Sequence, residues 1–176
     1  TNPAFPIEGK AVTLIFDAAQ GTAGLKGYTG DVYAHTGVIT DQSEKESDWR
    51  YASDWNVNVA KYKMTSLGNN KWELNITPDV RSYYGVPAGE KILKMAFVFR
   101  SSDGKKEGKD TGGKDIFVDI HETGLTVRFD QPSGIATLNS GETLAMKASA
   151  SMVADMKLFV GNEPIATQSN VKEITA

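Results

Sequence analysis

The chain has 176 residues, 40% hydrophobic and 23% charged, which allows one domain, or one domain and part of a second, and argues against wholesale disorder. Its net charge of -3 argues against nucleic acid as a partner, because a phosphate backbone demands a basic footprint. With no cysteine, disulfides, cysteine-ligated zinc and thiol catalysis are excluded, and no apolar run approaches the roughly 18 residues that span a bilayer.

Thr1 to Lys10 is a proline-containing lead-in. The chain opens Thr1-Asn2-Pro3 with no Met, so removal of a leader ahead of it is expected. Ala11 to Asp17, AVTLIFD, has the β-branched and aromatic content of a strand. The stretch GTAGLKGYTG carries glycine at 21, 24, 27 and 30 and reads as a flexible loop. It matches no phosphate-loop spacing, and no Lys-Ser or Lys-Thr follows its last glycine.

The most informative stretch is Asp31 to Trp55, DVYAHTGVITDQSEKESDWRYASDW. Val32, Ala34 and Thr36 alternate with Tyr33, His35 and Gly37, so a strand sends the two sets to opposite faces, and the rings share one face. After Val38 and Ile39 the strand gives way to a polar loop that presents Trp49, Tyr51 and Trp55. Large rings in a loop either fold back onto a core or stay out to meet a flat ligand. A sugar is flat in that sense: a pyranose stacks a patch of C–H bonds on an aromatic face, and its hydroxyls need charged or amide partners at the edge.

Tyr62 to Leu67, a Gly-Asn-Asn turn and Lys71 to Ile76 read as a hairpin whose Trp72, Leu74 and Ile76 share one face. Thr77-Pro78-Asp79 opens a short helical turn through Val80 to Tyr84, with Thr77 as its expected cap, Pro78 at its first position and Gly85 as its stop. Ile92 to Arg100, ILKMAFVFR, is the most hydrophobic segment and predicts a strand buried between two layers. The loop SSDGKKEGKDTGGKD follows, and Ile116 to Ile120 is a closing strand. Counting a short strand at Val57 to Ala60, this makes about seven strands and no long helix, an all-β, immunoglobulin-like sandwich over residues 1–121.

At His121-Glu122-Thr123-Gly124 the character of the chain changes. Strands are predicted at Leu125 to Phe129, Leu144 to Ala150 and Met156 to Val160, with Pro164-Ile165-Ala166 after a turn. An immunoglobulin-like domain needs about seven strands, so residues 122–176 are expected to be the first strands of a second such domain, truncated here.

The order of motifs is VYAHTG, a loop with DW, a Met-containing strand, GNNKWEL, YYGVPAGE, and a strand ending AFVFRSSDG. Over roughly residues 8 to 121 it resembles the N-terminal module of Bacteroidetes outer-membrane α-amylases of glycoside hydrolase family 13. More distantly, it is similar to small starch-binding β-sandwich modules. LTVRFDQPSG and MKLFVGNEPIA resemble the start of an immunoglobulin-like linker domain in the same enzymes. The resemblance implies that α-glucan is held by Tyr33 and His35 on the strand and by Trp49 in the loop, with Arg50, Lys61 or Asp48 reaching sugar hydroxyls. It also implies a cell-surface or outer-membrane location and a downstream catalytic domain as the module's partner. This loop is longer and more charged than those of the short modules, which leaves the choice between Trp49 and Trp55 open.

Structural roles stand beside these. Tyr33 and His35 are equally readable as half-buried sheet residues, Trp55 is expected to pack in the core, as is Trp72, and Tyr83 with Tyr84 is expected to cap the sandwich. An exposed Tyr83-Tyr84 pair would be a second sugar site. Family 13 hydrolysis uses carboxylates on a (β/α)₈ barrel, which does not fit into this length of β-pattern, so these residues are expected to be non-catalytic, without cofactor or metal. No G-x-S-x-G elbow occurs. Asp103, Glu107, Asp110 and Asp115 share a loop with four lysines at a spacing unlike an EF-hand, which predicts a solvated hairpin tip. Two functions are left: a carbohydrate-binding module and a non-catalytic spacer.

Overall fold

The computed structural model describes residues 1–55 and 57–176. The chain is all-β and divides into two compact units, Thr1–His121 and Glu122–Ala176.

Strict alternation builds the first sheet of the first unit. In β1 (Val12–Asp17) Val12, Leu14 and Phe16 are buried while Ile15 is exposed, and in β4 (Lys71–Ile76) Trp72, Leu74 and Ile76 are buried. The two strands pair antiparallel with Leu14 opposite Leu74 and Phe16 opposite Trp72, so the apolar sets share one face. β3 (Thr65–Gly68) completes the order β1-β4-β3. The turn between β3 and β4 has Gly68, Asn69 and Asn70 at positive φ, the region these two residue types tolerate.

The second sheet is centred on β5 (Ile92–Ser101). β2 (Val32–Thr40) pairs along one side of it, and β6 (Glu107–Gly108) and β7 (Ile116–Asp119) pair along the other. Val32, Ala34 and Val38 of β2 join Met95, Phe97 and Phe99 of β5 in one core with the first sheet, where Phe16 stacks on Phe99 at 4.1 Å. That is a two-layer sandwich. Tyr83 and Tyr84 are buried in the same core, so they cap it as expected and present no exposed pair for a second sugar site.

β5 is buried on both faces, as its composition predicts, but its outer cover is a loop. Ala96 and Val98 point away from the core yet are buried, and Arg100 is only 2% exposed. Residues 41–55 fold back over this face. Arg50 exchanges two backbone hydrogen bonds with Val38, of 2.8 and 3.0 Å, and a Cβ placed on Gly37 would lie 2.8 Å from the Cβ of Ala52. The Arg100 guanidinium donates to the Val57 carbonyl at 2.8 Å, and Asn58 donates to the Ser102 carbonyl at 3.0 Å.

Those bonds explain one correction. The strand expected at Val57 to Ala60 does not form: the Val57 carbonyl accepts from Arg100 and from the Val59 amide, the Val59 carbonyl accepts from the Tyr62 amide, and Ala60–Tyr62 is a single 3₁₀ turn. Asn56, which belonged to the expected alternation, lies outside the described residues. The cap of α1 (Val80–Tyr84) also moves: Asp79, and not Thr77, accepts from the Ser82 amide at 2.8 Å, and Pro78 lies ahead of the helix. A carboxylate is the stronger acceptor there. Gly85 ends the helix in the left-handed region, as expected.

The glycine-rich loop is a packed element. Leu25 is fully buried, and a Cβ on Gly21 or Gly24 would fall 2.0 Å from the Lys109 carbonyl oxygen or 2.1 Å from that of Glu107. The loop therefore sits directly against residues 107–110, and Thr22 exchanges hydrogen bonds with Lys109.

In the second unit, β8 (Val127–Gln131), β9 (Lys147–Val160) and β10 (Glu163–Thr175) form one antiparallel sheet in the order β10-β9-β8. The strands expected at Leu144 to Ala150 and Met156 to Val160 are parts of one long strand, because β10 continues to Thr175 and pairs with both. Ala148, Ala150, Met156, Leu158 and Ile174 make a small core.

Gly37 tests the loop cover. Gly37→Val places its methyl groups against Ala52 and the Arg50 carbonyl, so overpacking is expected to cost about 1–3 kcal/mol in urea unfolding. Tryptophan emission of the folded variant is expected to shift to the red as the loop lifts.

Candidate functional site

The outer face of the second sheet positions the site, and the loop over residues 41–55 supplies most of its surface. Tyr33 and His35 point out from β2 on the same face. The loop lays Trp49 over His35, ring centroids 5.3 Å apart at 22°, while Trp55 meets His35 edge-on at 4.8 Å and 74°. All three rings are half-buried. They line a cleft of about 380 Å³ with Asp48, Lys109 and Asp115 at its edge, a volume within the range of small-ligand sites.

His35 sits between two indoles and near the Arg100 guanidinium, so burial first and that charge second hold its pKa below the ordinary value of 6.5. Asp115 opposes the shift and Lys109 adds to it. At neutral pH the ring is a neutral stacking partner for Trp49. Lys109 lies 3.6 Å from Glu107 and 3.8 Å from Asp115, loose pairs that keep a cation and a carboxylate together at the cleft margin. Such an edge offers both donors and acceptors to hydroxyls.

The predicted residues divide. His35 and Trp49 come together, and Asp48 lies in the same cleft. Tyr33 shares the outer face, but its ring lies over the Arg100 guanidinium, 5.7 Å from centroid to carbon, and is not part of the cleft lining. Arg50 and Lys61 do not line the cleft either. Arg50 pairs with Glu90 at 2.9 Å, and Lys61 donates to the Tyr83 carbonyl at 2.7 Å with its ammonium over the Tyr62 and Tyr83 rings. Trp55 corrects the core expectation: it is only partly buried, against His35 and outside the core, while Trp72 is buried as expected. Asp115 and Lys109 were read from sequence only as parts of a solvated hairpin tip, because a run of mixed charge between strands carries no sign of which side chains turn back over the sheet.

Glu90 anchors the loop. Its carboxylate accepts from Thr40 and Tyr51 and pairs with Arg50, and the Thr40 hydroxyl followed by the Tyr51 hydroxyl holds its pKa below the usual carboxylate value. The acidic loop residues are engaged too: Asp103 accepts from Ser101, and Asp110 caps the turn at Thr111. Among the described residues no helix is long and apolar enough to cross a membrane.

Sheet, loop and cleft thus define a β-sandwich domain with an aromatic, charge-edged cleft on the outer face of its second sheet. No curated protein matches the sequence. The chain belongs to the family described as Domain of unknown function (DUF8578), which matches residues 2–107. The matched stretch holds β2 and the whole covering loop, and it ends ahead of Lys109, Asp115 and β7.

Two measurements check this geometry. Because the folded Glu90 pKa is depressed, its stabilising contribution is present above the ordinary carboxylate value and is lost as pH falls through the folded one. Glu90→Gln is therefore expected to lower the melting temperature at neutral pH and to flatten the acid side of the stability profile. For His35, an NMR titration is expected to give a midpoint below 6.5. The unfolded chain then binds the proton more readily, so stability falls as pH drops from that value towards the folded pKa. A His35→Ala variant is expected to lose that slope.

Proposed function

We propose that this chain is a carbohydrate-binding accessory module that holds α-glucan, as starch or maltooligosaccharide, for a family 13 α-amylase domain on the same polypeptide at the cell surface. The observation that carries this reading is the cleft in which Trp49 and Trp55 flank His35, with Asp48, Asp115 and Lys109 at its edge. Half-buried indoles give a sugar an apolar face to stack on, and the charged rim can exchange hydrogen bonds with its hydroxyls. Trp55 stands at 74° to His35, so the aromatic surface is angled, which suits a curved α-linked chain better than a flat ribbon. A single open cleft of this kind binds modestly, and several on one polymer gain by avidity. On the same reading, residues 122–176 are the opening strands of an immunoglobulin-like linker domain.

A spacer without ligand is the second reading, and one observation favours it. Arg50 and Lys61, two of the groups expected to meet sugar, are committed to partners inside the domain. The rings also cover the sheet, which is a structural role in itself.

Calorimetric titration with maltoheptaose and a cyclodextrin separates the two. Saturable binding that weakens by at least about tenfold in Trp49→Ala is the expected result. Tryptophan emission is expected to change on binding through Trp49 and Trp55, since Trp72 is in the core. No binding to either sugar by the folded protein would leave the spacer.

A further inference from the structure

Phe117 is an aromatic residue on the wrong side of its strand for the core. Ile116 and Val118 of β7 pack against the sandwich interior, so Phe117 projects from the outer face, beside Ala96 of β5, which in turn pairs with Gly37 of β2. These two small residues let the covering loop settle close on the sheet, with Ala52 over Gly37 and Ala96 buried, so that the loop reaches the row that carries Phe117. There the Trp49 ring approaches Phe117 edge-on, with centroids 6.4 Å apart at 76°. The Lys94 ammonium lies 5.4 Å from the Phe117 centroid and 2.7 Å from Glu46 of the loop, which ties the loop to this end of the sheet. A second recess of about 460 Å³ opens here, lined by Glu46, Ser47, Lys114, Asp115 and Phe117 among others. It shares Ser47 and Asp115 with the cleft that holds Trp49, so the two adjoin.

We propose that the two recesses form one binding groove in which Phe117 is a second aromatic platform and Lys114 a second cation, so that the site takes a linear oligosaccharide and selects for chain length. The proposal rests on the carbohydrate reading above. A single sugar unit is served by the Trp49 cleft alone; further units along the chain reach Phe117, Glu46 and Lys114. The two rings stand nearly perpendicular, so a chain that meets both must turn between them. That geometry favours a curved glycan over a flat one.

The test titrates the full 176-residue chain with maltose, maltoheptaose and cellohexaose, beside Phe117→Ala and Lys114→Ala. The expected result is an affinity for maltoheptaose at least about tenfold above that for maltose, and weak binding of cellohexaose. Phe117→Ala is expected to bring the two maltosaccharides to similar affinities. Lys114→Ala, at an exposed position, is expected to weaken maltoheptaose alone. On the wild-type protein, amide NMR shifts for residues 113–117 are expected to move with maltoheptaose and not with maltose, a readout that does not depend on either variant folding. Equal affinities for the two maltosaccharides in the wild type, or maltoheptaose shifts confined to residues 47–55, would overturn the second platform while leaving the carbohydrate reading in place. Absence of any binding by the folded wild type would overturn both.

Discussion

The pairing of Arg50 with Val38 is the contact on which the face that carries the cleft depends. It is a small piece of antiparallel ladder, two backbone hydrogen bonds, yet it turns the loop back along the edge of β2 and brings Trp49, Ala52 and Trp55 onto the outer face of the second sheet. Gly37 permits the close approach that follows, because any side chain there would occupy the space of Ala52. Glu90 then fixes the far side by accepting from Thr40 and Tyr51 and pairing with Arg50. The burial of Ala96, Val98 and Arg100 and the stacking of Trp49 on His35 both follow from where the loop lies.

The opposite wall of the cleft is held down by a different device with the same logic. Residues 107–110 carry Lys109 and lead to Asp115, and on composition alone this charged stretch belongs in solvent. It is kept near the sheet because the backbone at Gly21 and Gly24 comes within reach of the Lys109 and Glu107 carbonyl groups, closer than any side chain allows. Leu25 anchors that glycine-rich segment in the core. Both walls are thus set by backbone contacts in the folded domain.

How far this was legible from sequence depends on the kind of contact involved. Alternation in AVTLIFD and KWELNI writes the first sheet directly, and the unbroken hydrophobicity of ILKMAFVFR announces a strand covered on both faces. What that composition does not carry is the nature of the cover, since a loop and a sheet bury the same side chains. The strand period fixes the direction of His35, but that Trp49 joins it was implied only by the resemblance, since a polar loop does not say which of its indoles folds back. The partners of Arg50 and Lys61 were not legible: a long cation reaches several acceptors, and the choice of Glu90 and of the Tyr83 carbonyl is made by tertiary packing. Trp55 misleads for a related reason. The apparent alternation after it suggested an inward strand, whereas the Val57 carbonyl is taken by Arg100 and the segment leaves the ladder.

The same rings serve the sheet and the cleft, and the two roles constrain each other. An indole fully committed to covering β2 would have no free surface for a ligand, and one fully exposed would hold the loop weakly and lose its orientation. Trp49 sits between these limits, stacked on His35, in a T-shaped contact with Phe117, and only partly buried. Edge and face contacts of this type are worth about 0.5–1.5 kcal/mol each beyond the area they bury, enough to keep an indole from rotating freely without removing it from water. His35 is the residue that makes this arrangement possible. On a strand it stacks as an aromatic residue, and burial first and the nearby Arg100 charge second hold its pKa below the ordinary value.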